Sequence, residues 1–219
     1  MRFDEILSDQ THGSTYLIKQ YLQLIDDVSR DQLSVMNTKL QEAFPDMAII
    51  QNVTSSLEST SDPLSMSKKI EADLDNFVNG IVEQIKQQVN DSRILIFSNS
   101  QTVIDVLNQL KPNKTTVMQS LPGGEGEDLA KTLDAEVVAD MLALSRLDEF
   151  DLVLVGCDSY TNESLINKIG TNVLAELCKL KNIPIIALTS KYKYLPEITP
   201  VTNPIFEVVD RSYITIISA

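Results

Sequence analysis

The sequence is poor in the residues that build metal and disulfide sites. Its 219 residues include no tryptophan, one histidine and two cysteines, Cys157 and Cys178, which form no Cys-x-x-Cys pair. A zinc site draws on several such ligands, so no metal site is expected. Two cysteines without a disulfide framework are typical of a reduced, intracellular protein, and both are expected to be small buried hydrophobic residues.

Basic residues and long apolar runs are also scarce. There are 18 Lys and Arg against 31 Asp and Glu, and the net charge is -13. Binding to nucleic acid or to an anionic membrane depends on basic residues, so neither partner is expected. No stretch approaches the roughly 18 apolar residues of a membrane span. The start, MRFDEILSDQTHG, lacks the apolar core of a secretory signal. These features predict a cytoplasmic protein.

The first ninety residues have the period of amphipathic helices. Apolar residues recur three or four positions apart in STYLIKQYLQLIDDV, DQLSVMNTKLQEAF, DMAIIQNVTSSLEST and DPLSMSKKIEADLDNFVNGIVEQIKQQV. Ser14 is a predicted N-cap of the first helix and Asp62 or Ser61 of the last, and Pro45 is expected to end the second. A helical N-terminal domain is therefore predicted over residues 1–90.

From Arg93 the pattern changes to short runs rich in Ile and Val. These runs are RILIF, TTVMQ, AEVVA, FDLVLV, IPIIALT and YITIIS, and helical stretches are predicted at 101–110, 126–133, 140–147 and 170–181. Alternating strands and helices are typical of a parallel sheet covered on both faces. The predicted fold class is α/β: the helical domain is followed by a Rossmann-like parallel-sheet domain over 91–219, with the boundary near Asn90 to Ser92.

Four loops follow the first four predicted strands. They are SNSQT, QSLPGGEGED, ADM and GCDSYTNESLINKIGT. Ligands gather at the carboxyl ends of the strands in such sheets, so the four loops are expected to meet in one crevice.

Asp158 directly follows a predicted buried strand and the residues Gly156 and Cys157. Partial burial would raise the pKa of its carboxyl group and suit a general acid or base. The alternative is structural: Asp158 caps the next turn or pairs with Lys168. A lone Asp more often has the structural role.

Asn167 and Lys168 stand just before a predicted helix whose first turn includes Gly170 and Thr171. Backbone N–H groups at a helix start and a lysine suit an anion. In the alternative, Lys168 neutralises Asp158 and Gly170 permits close packing. The two interpretations are compatible.

The loop with Gly123, Gly124 and Gly126 is flexible enough to wrap a phosphate. It also contains Glu125, Glu127 and Asp128 and no basic residue, which favours a turn ahead of an acid-rich helix start. Neither the Walker nor the dinucleotide glycine pattern is present. His12, the single histidine, has no paired nucleophile in view, which favours a surface or capping role.

The segments VLVGCDSYTNESLINKIGT and NPIFEVV together resemble the family of the initiation factor 2B regulatory subunits. This family also contains methylthioribose-1-phosphate isomerase and ribose-1,5-bisphosphate isomerase. Its signature is a strand, Gly-Ala-Asp, a variable loop and Asn-Lys-Ile-Gly-Thr with a helix, and then a later Asn-Pro-x-Phe-[Asp/Glu] segment. Asn203, Pro204, Phe206 and Glu207 match that later segment.

The resemblance implies two differences from the isomerases. Their acid/base pair is a Cys and the Asp of Gly-Ala-Asp; Asp158 is kept, but Ser98 stands at the position of the Cys, and a hydroxyl is a poor proton donor or acceptor near neutrality. Their phosphate-binding arginines align with His12, Leu121 and Glu127. Each substitution removes a guanidinium partner for phosphate.

These differences favour a non-catalytic interaction or regulatory module related to the α/β/δ subunits of initiation factor 2B. It would form a homodimer through the α/β domain, with a translation-factor subunit or a sister chain as partner, and no cofactor is expected. One alternative is a sugar-phosphate aldose-ketose isomerase with an altered site, in which Asp158 still moves the proton. Another is a nucleotide-binding protein using the same crevice. Asn167, Lys168, Gly123, Gly124, Gly126 and His12 would contact any small phosphorylated ligand.

Overall fold

Helices make up the N-terminal part of the chain. The computed structural model describes residues 2–9, 13–198, 200–201 and 203–219. The helices are α1 (Phe3–Leu7), α2 (Ser14–Leu22), α3 (Arg30–Ala43), α4 (Ala48–Ser59) and α5 (Pro63–Val89). None of the helices in these ranges is long and apolar enough to cross a membrane.

Helix ends follow the predicted capping chemistry with one exception. The Asp62 carboxylate accepts a hydrogen bond from the Ser65 backbone N–H at 3.0 Å, and Pro63 opens α5. Helix α3 ends shortly before Pro45, as predicted. Ser14 is not a cap: it is the first residue of α2 and Gly13 is the N-cap. The capping of α5 by Asp62 is therefore confirmed and that of α2 by Ser14 is wrong by one residue.

The second part of the chain is built on a six-stranded parallel sheet. Its strands are β1 (Arg93–Phe97), β2 (Lys114–Met118), β3 (Glu136–Val138), β4 (Leu152–Val155), β7 (Ile185–Thr189) and β9 (Thr215–Ser218). Their order is β3-β2-β1-β4-β7-β9, so the chain changes direction across the sheet between β1 and β4. The helices of this part are α6 (Gln101–Leu110), α7 (Gly126–Leu133), α8 (Asp140–Ser145) and α9 (Thr171–Lys181). The predicted α/β class and all six predicted strands are confirmed.

A second, three-stranded sheet was not predicted. It contains β5 (Ser159–Tyr160), β6 (Ser164–Lys168) and β8 (Phe206–Asp210), paired antiparallel in the order β5-β6-β8. The sequence interpretation of 156–171 as one polar loop is therefore wrong. The Thr161 hydroxyl accepts hydrogen bonds from the backbone N–H groups of Glu163 and Ser164 and closes a hairpin there. The partner strand β8 follows about forty residues later, so local periodicity could not reveal the pairing.

Helix α5 belongs to both parts of the chain. Its first half places Ile70 and Leu74 in the core of the helical part. Its second half places Phe77, Ile81 and Ile85 against the sheet. The predicted boundary near residue 90 falls between α5 and β1, and the division into two domains there stays a prediction.

Candidate functional site

Hydrogen bonds join the loops that follow β1, β2 and β3. The Asp140 carboxylate accepts from the backbone N–H groups of Ser120 and Leu121, both at 2.7 Å. The Ser120 hydroxyl accepts from the backbone N–H of Ser98 at 2.9 Å. Ser98 and Ser120 have φ angles of 67° and 64°, a left-handed conformation uncommon for residues other than glycine. Three of the four loops that were expected to meet are thus joined, and their backbone is held in one arrangement.

Lys168 reaches this cluster from β6 and is paired within the chain. Its ammonium nitrogen lies 2.6 and 2.7 Å from the two carboxylate oxygens of Glu125, and it also donates to the Pro122 carbonyl. Lys168 is only 4% exposed. The Ser98 hydroxyl is 3.4 Å from Glu125 Oε1. The alternative in which Lys168 neutralises Asp158 is therefore wrong, because Glu125 supplies the carboxylate.

The loop glycines make this ion pair sterically possible. Gly123 and Gly124 have φ angles of 115° and 75°. A Cβ atom on Gly123 would lie 2.6 Å from Glu125 Oε2 and 3.2 Å from Lys168 Nζ, and one on Gly126 would lie 1.9 Å from the Met118 carbonyl oxygen. The three glycines thus shape the turn that brings Glu125 to Lys168. Ligand binding by these glycines stays a prediction.

The start of α9 is occupied by a carboxylate of the same chain. Glu207 Oε1 accepts from the backbone N–H groups of Gly170 and Asn172, both at 2.8 Å. Buried Asn167 donates to the Thr171 hydroxyl at 3.1 Å. A carboxylate is stabilised at a helix N-terminus, so Glu207 takes the place an external anion would occupy. The sequence motif singled out Glu207 but did not indicate this capping role.

Asp158 stands immediately before β5, at the start of the small sheet. Its backbone N–H donates to the Ile166 carbonyl at 2.9 Å, and its half-buried side chain lines a pocket of about 180 Å³. The pocket walls are mainly apolar and include Phe44, Met47, Val201 and Phe206. Burial raises the pKa of the Asp158 carboxyl group, and the nearby Lys193 ammonium offsets part of that increase.

The two cysteines and the single histidine were also considered as candidate residues in the sequence. Cys157 and Cys178 are buried and free, as expected, and burial raises the pKa of each thiol to about 12, so neither forms a thiolate near neutrality. His12 lies outside the described residues. Across the described part of the chain, no group of three or more His, Cys, Asp or Glu side chains could hold a metal ion.

Comparison with known proteins agrees with this architecture. The chain is 28% identical over 156 residues to ribose 1,5-bisphosphate isomerase of Methanocaldococcus jannaschii, an alignment that covers 63% of this chain and 50% of the isomerase. It is 24% identical over 222 aligned positions to a putative translation initiation factor eIF-2B subunit 2-like protein of Pyrococcus furiosus, covering 90% of this chain and 79% of that protein. The chain thus spans about half the length of the isomerase.

Two solved structures share the fold. The translation initiation factor eIF-2B of Pyrococcus horikoshii OT3 has a TM-score of 0.82 at 21% identity, covering 97% of this chain and 91% of that one. The eIF2B delta subunit of Chaetomium thermophilum has a TM-score of 0.74 at 16% identity, covering 99% and 94%. The profile of the initiation factor 2 subunit family matches residues 18–218. The chain therefore belongs to the initiation factor 2 subunit family.

Proposed function

We propose that this chain is a non-catalytic interaction subunit related to initiation factor 2B, rather than a sugar-phosphate isomerase. The observation that carries the proposal is the buried ion pair between Lys168 and Glu125. Lys168 is the cation at the loops where a phosphate would be bound, and its charge is already matched by a carboxylate. A bisphosphate would have to displace Glu125 before it gained that contact.

The surroundings of the ion pair add to the cost of binding a phosphate. By the family resemblance, Leu121 and Glu127 stand where guanidinium groups would hold the ligand. Leu121 is 54% exposed and offers no hydrogen-bond donor from its side chain. Glu207 already accepts the N–H groups at the start of α9. The carboxylates of Glu127 and Glu207 would oppose an incoming phosphate, whereas the Glu125 charge is already balanced by Lys168.

We propose that the chain acts in the cytoplasm, either as a homodimer formed through the α/β part or in a complex with a translation-factor subunit. One structural relative is described as a tetrameric eIF2B-beta2-delta2 complex from C. thermophilum. Four apolar side chains beside edge strand β3 are exposed here, namely Leu121, Val137, Met141 and Leu142, with Met141 at 77%. Asp140 ties the Leu121 backbone to the start of α8, so these side chains share one region. An exposed apolar patch of this kind supports an interaction role.

Isothermal titration with ribose 1,5-bisphosphate and with AMP, combined with a turnover assay, tests the proposal. We expect no binding heat at millimolar ligand and no product. Glu125→Gln, which keeps the side-chain shape and removes the charge, is the matched variant. If this variant binds the ligand and the unmodified chain does not, the result would support the pairing of Lys168 with Glu125 as the reason that the unmodified chain does not bind it. Tight binding with turnover by the unmodified chain would contradict the proposal.

The second candidate is an aldose-ketose isomerase with an altered site. It is favoured by Asp158, whose half-buried carboxyl group has a raised pKa and lines a pocket, as suits an acid/base group. Two ribose 1,5-bisphosphate isomerases are also among the relatives. A panel of sugar phosphates assayed with the unmodified chain and with Asp158→Asn tests it. Absence of activity across the panel would exclude this candidate, whereas activity lost in Asp158→Asn would support it.

A further inference from the structure

The segment after β7, residues 190–194, touches both parts of the chain. On the helical side, the Asp73 carboxylate of α5 accepts from the Lys191 ammonium and from the Tyr192 hydroxyl, both at 2.8 Å. These bonds lower the pKa of the Asp73 carboxyl group, Lys191 most strongly. Asp73 is therefore ionised near neutral pH and anchors the segment to α5.

A second anchor comes from α4. The Asn52 side-chain amide donates to the backbone carbonyls of Tyr192 at 2.8 Å and Tyr194 at 2.7 Å. One side chain thus spans the turn and holds its backbone against α4. Because both acceptors are main-chain atoms, the contact positions the whole segment and not only a single side chain.

Lys193, between these anchored residues, points the other way. Residues 191–193 form a turn of 3-10 helix, in which successive side chains diverge by about 120°. Lys191 and Tyr192 contact the helical part, while the Lys193 ammonium donates to the Cys157 carbonyl at 2.9 Å, directly before Asp158. The segment is also held on the sheet part, where Tyr194 bridges Tyr160 and the Lys191 N–H donates to the Ala219 carbonyl at 3.1 Å. Docking on α4 and α5 therefore adds to the contacts that determine where the Lys193 charge lies.

Lys193 is the cation that acts on the Asp158 carboxyl group. It opposes the effect of burial, which favours the protonated form. Asp46, from the connection between α3 and α4, lines the same pocket as Asp158 and carries a charge opposite in sign to that of Lys193. The pocket residues contributed by β6 and by the segment before β8, Ile166 and Asn203, are uncharged. The ionisation of Asp158 thus depends on the position of Lys193.

We infer that residues 190–194 are a coupling segment through which the docking of α4 and α5 on the sheet part helps to keep the Lys193 ammonium beside Asp158. A partner that moved α4 or α5 would displace Lys193 and shift Asp158 toward its protonated form. A change in the helical part is thereby converted into a change of charge in the pocket.

Titration of the Asp158 carboxyl group by ¹³C NMR of Asp-labelled protein tests this inference, with Asp158→Asn to assign the signal. Asn52→Ala and Tyr192→Phe each remove an anchor and leave Lys193 unchanged. We expect each to raise the titration midpoint of Asp158 toward that of Lys193→Met. In Lys193→Met the rise should be about 1 pH unit, because a neighbouring opposite charge lowers an Asp pKa by about that much or more. Lys193→Arg should restore the midpoint.

Asn79→Ala is the matched control. Asn79 also lies on α5 and accepts a hydrogen bond from the Gln109 side chain of α6 at 3.2 Å, a contact that does not involve the coupling segment. Its loss should leave the Asp158 midpoint unchanged. Two results would overturn the inference: an unchanged midpoint in both Asn52→Ala and Tyr192→Phe, or an equal shift in Asn79→Ala.

Discussion

The buried ion pair makes a quantitative prediction for Glu125→Gln. The Lys168 side chain is only 5% exposed, so removing the carboxylate leaves its ammonium buried with the Pro122 carbonyl as its remaining strong acceptor. Removing one partner of a buried pair costs about 3–5 kcal/mol. Glu125 is 28% exposed and the new amide keeps one acceptor oxygen, so we expect the lower end, a loss of about 3 kcal/mol in the free energy of unfolding.

The opposite substitution should cost less. Lys168→Met leaves a carboxylate that is already partly exposed and can turn toward water, so we expect about 1–2 kcal/mol. The double variant Lys168→Met with Glu125→Gln removes both charges, and its stability should lie within about 1 kcal/mol of the unmodified chain. The two single changes should therefore be non-additive by at least about 3 kcal/mol.

Urea unfolding followed by circular dichroism at pH 7 measures these differences, and thermal unfolding gives a second readout. For a chain of this size a loss of 3 kcal/mol lowers the thermal midpoint by about 6–12 °C. Lys131→Met removes a lysine from an exposed pair with Asp128 and should have no measurable effect. A loss below about 1 kcal/mol in Glu125→Gln, or additive single changes, would refute the assignment of a buried, coupled pair.

Two further predictions concern the pocket and the glycine loop. In the folded state the pKa of the Asp158 carboxyl group lies above its ordinary value of 3.8. Between these two pKa values the folded state binds more protons than the unfolded state, so the free energy of unfolding falls as the pH rises. Asp158→Asn should abolish this fall, and urea unfolding from pH 4 to 8 measures it. An unchanged pH profile in Asp158→Asn would contradict burial of the carboxyl group. Gly126→Ala should destabilise the chain by about 1–3 kcal/mol in urea unfolding, because the added methyl group would meet the Met118 carbonyl. Gly13→Ala, with no atom within 4 Å of the added Cβ and a φ of -71°, should cost less, and equal losses would contradict the steric explanation.

Local periodicity was sufficient for most of the fold. The apolar spacing of the first ninety residues predicted helices, and the six Ile- and Val-rich runs predicted the parallel strands, because both patterns are set by residues close in the chain. Local periodicity did not predict β6 and β8, because their pairing joins segments about forty residues apart. The motif around Asn167 and Lys168 indicated the family without showing the contacts of its residues.

The sequence by itself determined most of the helices, the six strands of the parallel sheet, the family and the presence of Asp158 beside a buried strand. Only the tertiary structure decided which charges meet: Lys168 pairs with Glu125, 43 positions away, and Glu207 caps the helix that begins 36 positions before it. Periodicity reports which face of an element is buried, whereas these pairings depend on how distant loops are brought together by the packed sheet. The chemistry of the site therefore depends on how the loops are assembled. The sequence pattern predicted which residues belong to the site but not which residues they contact.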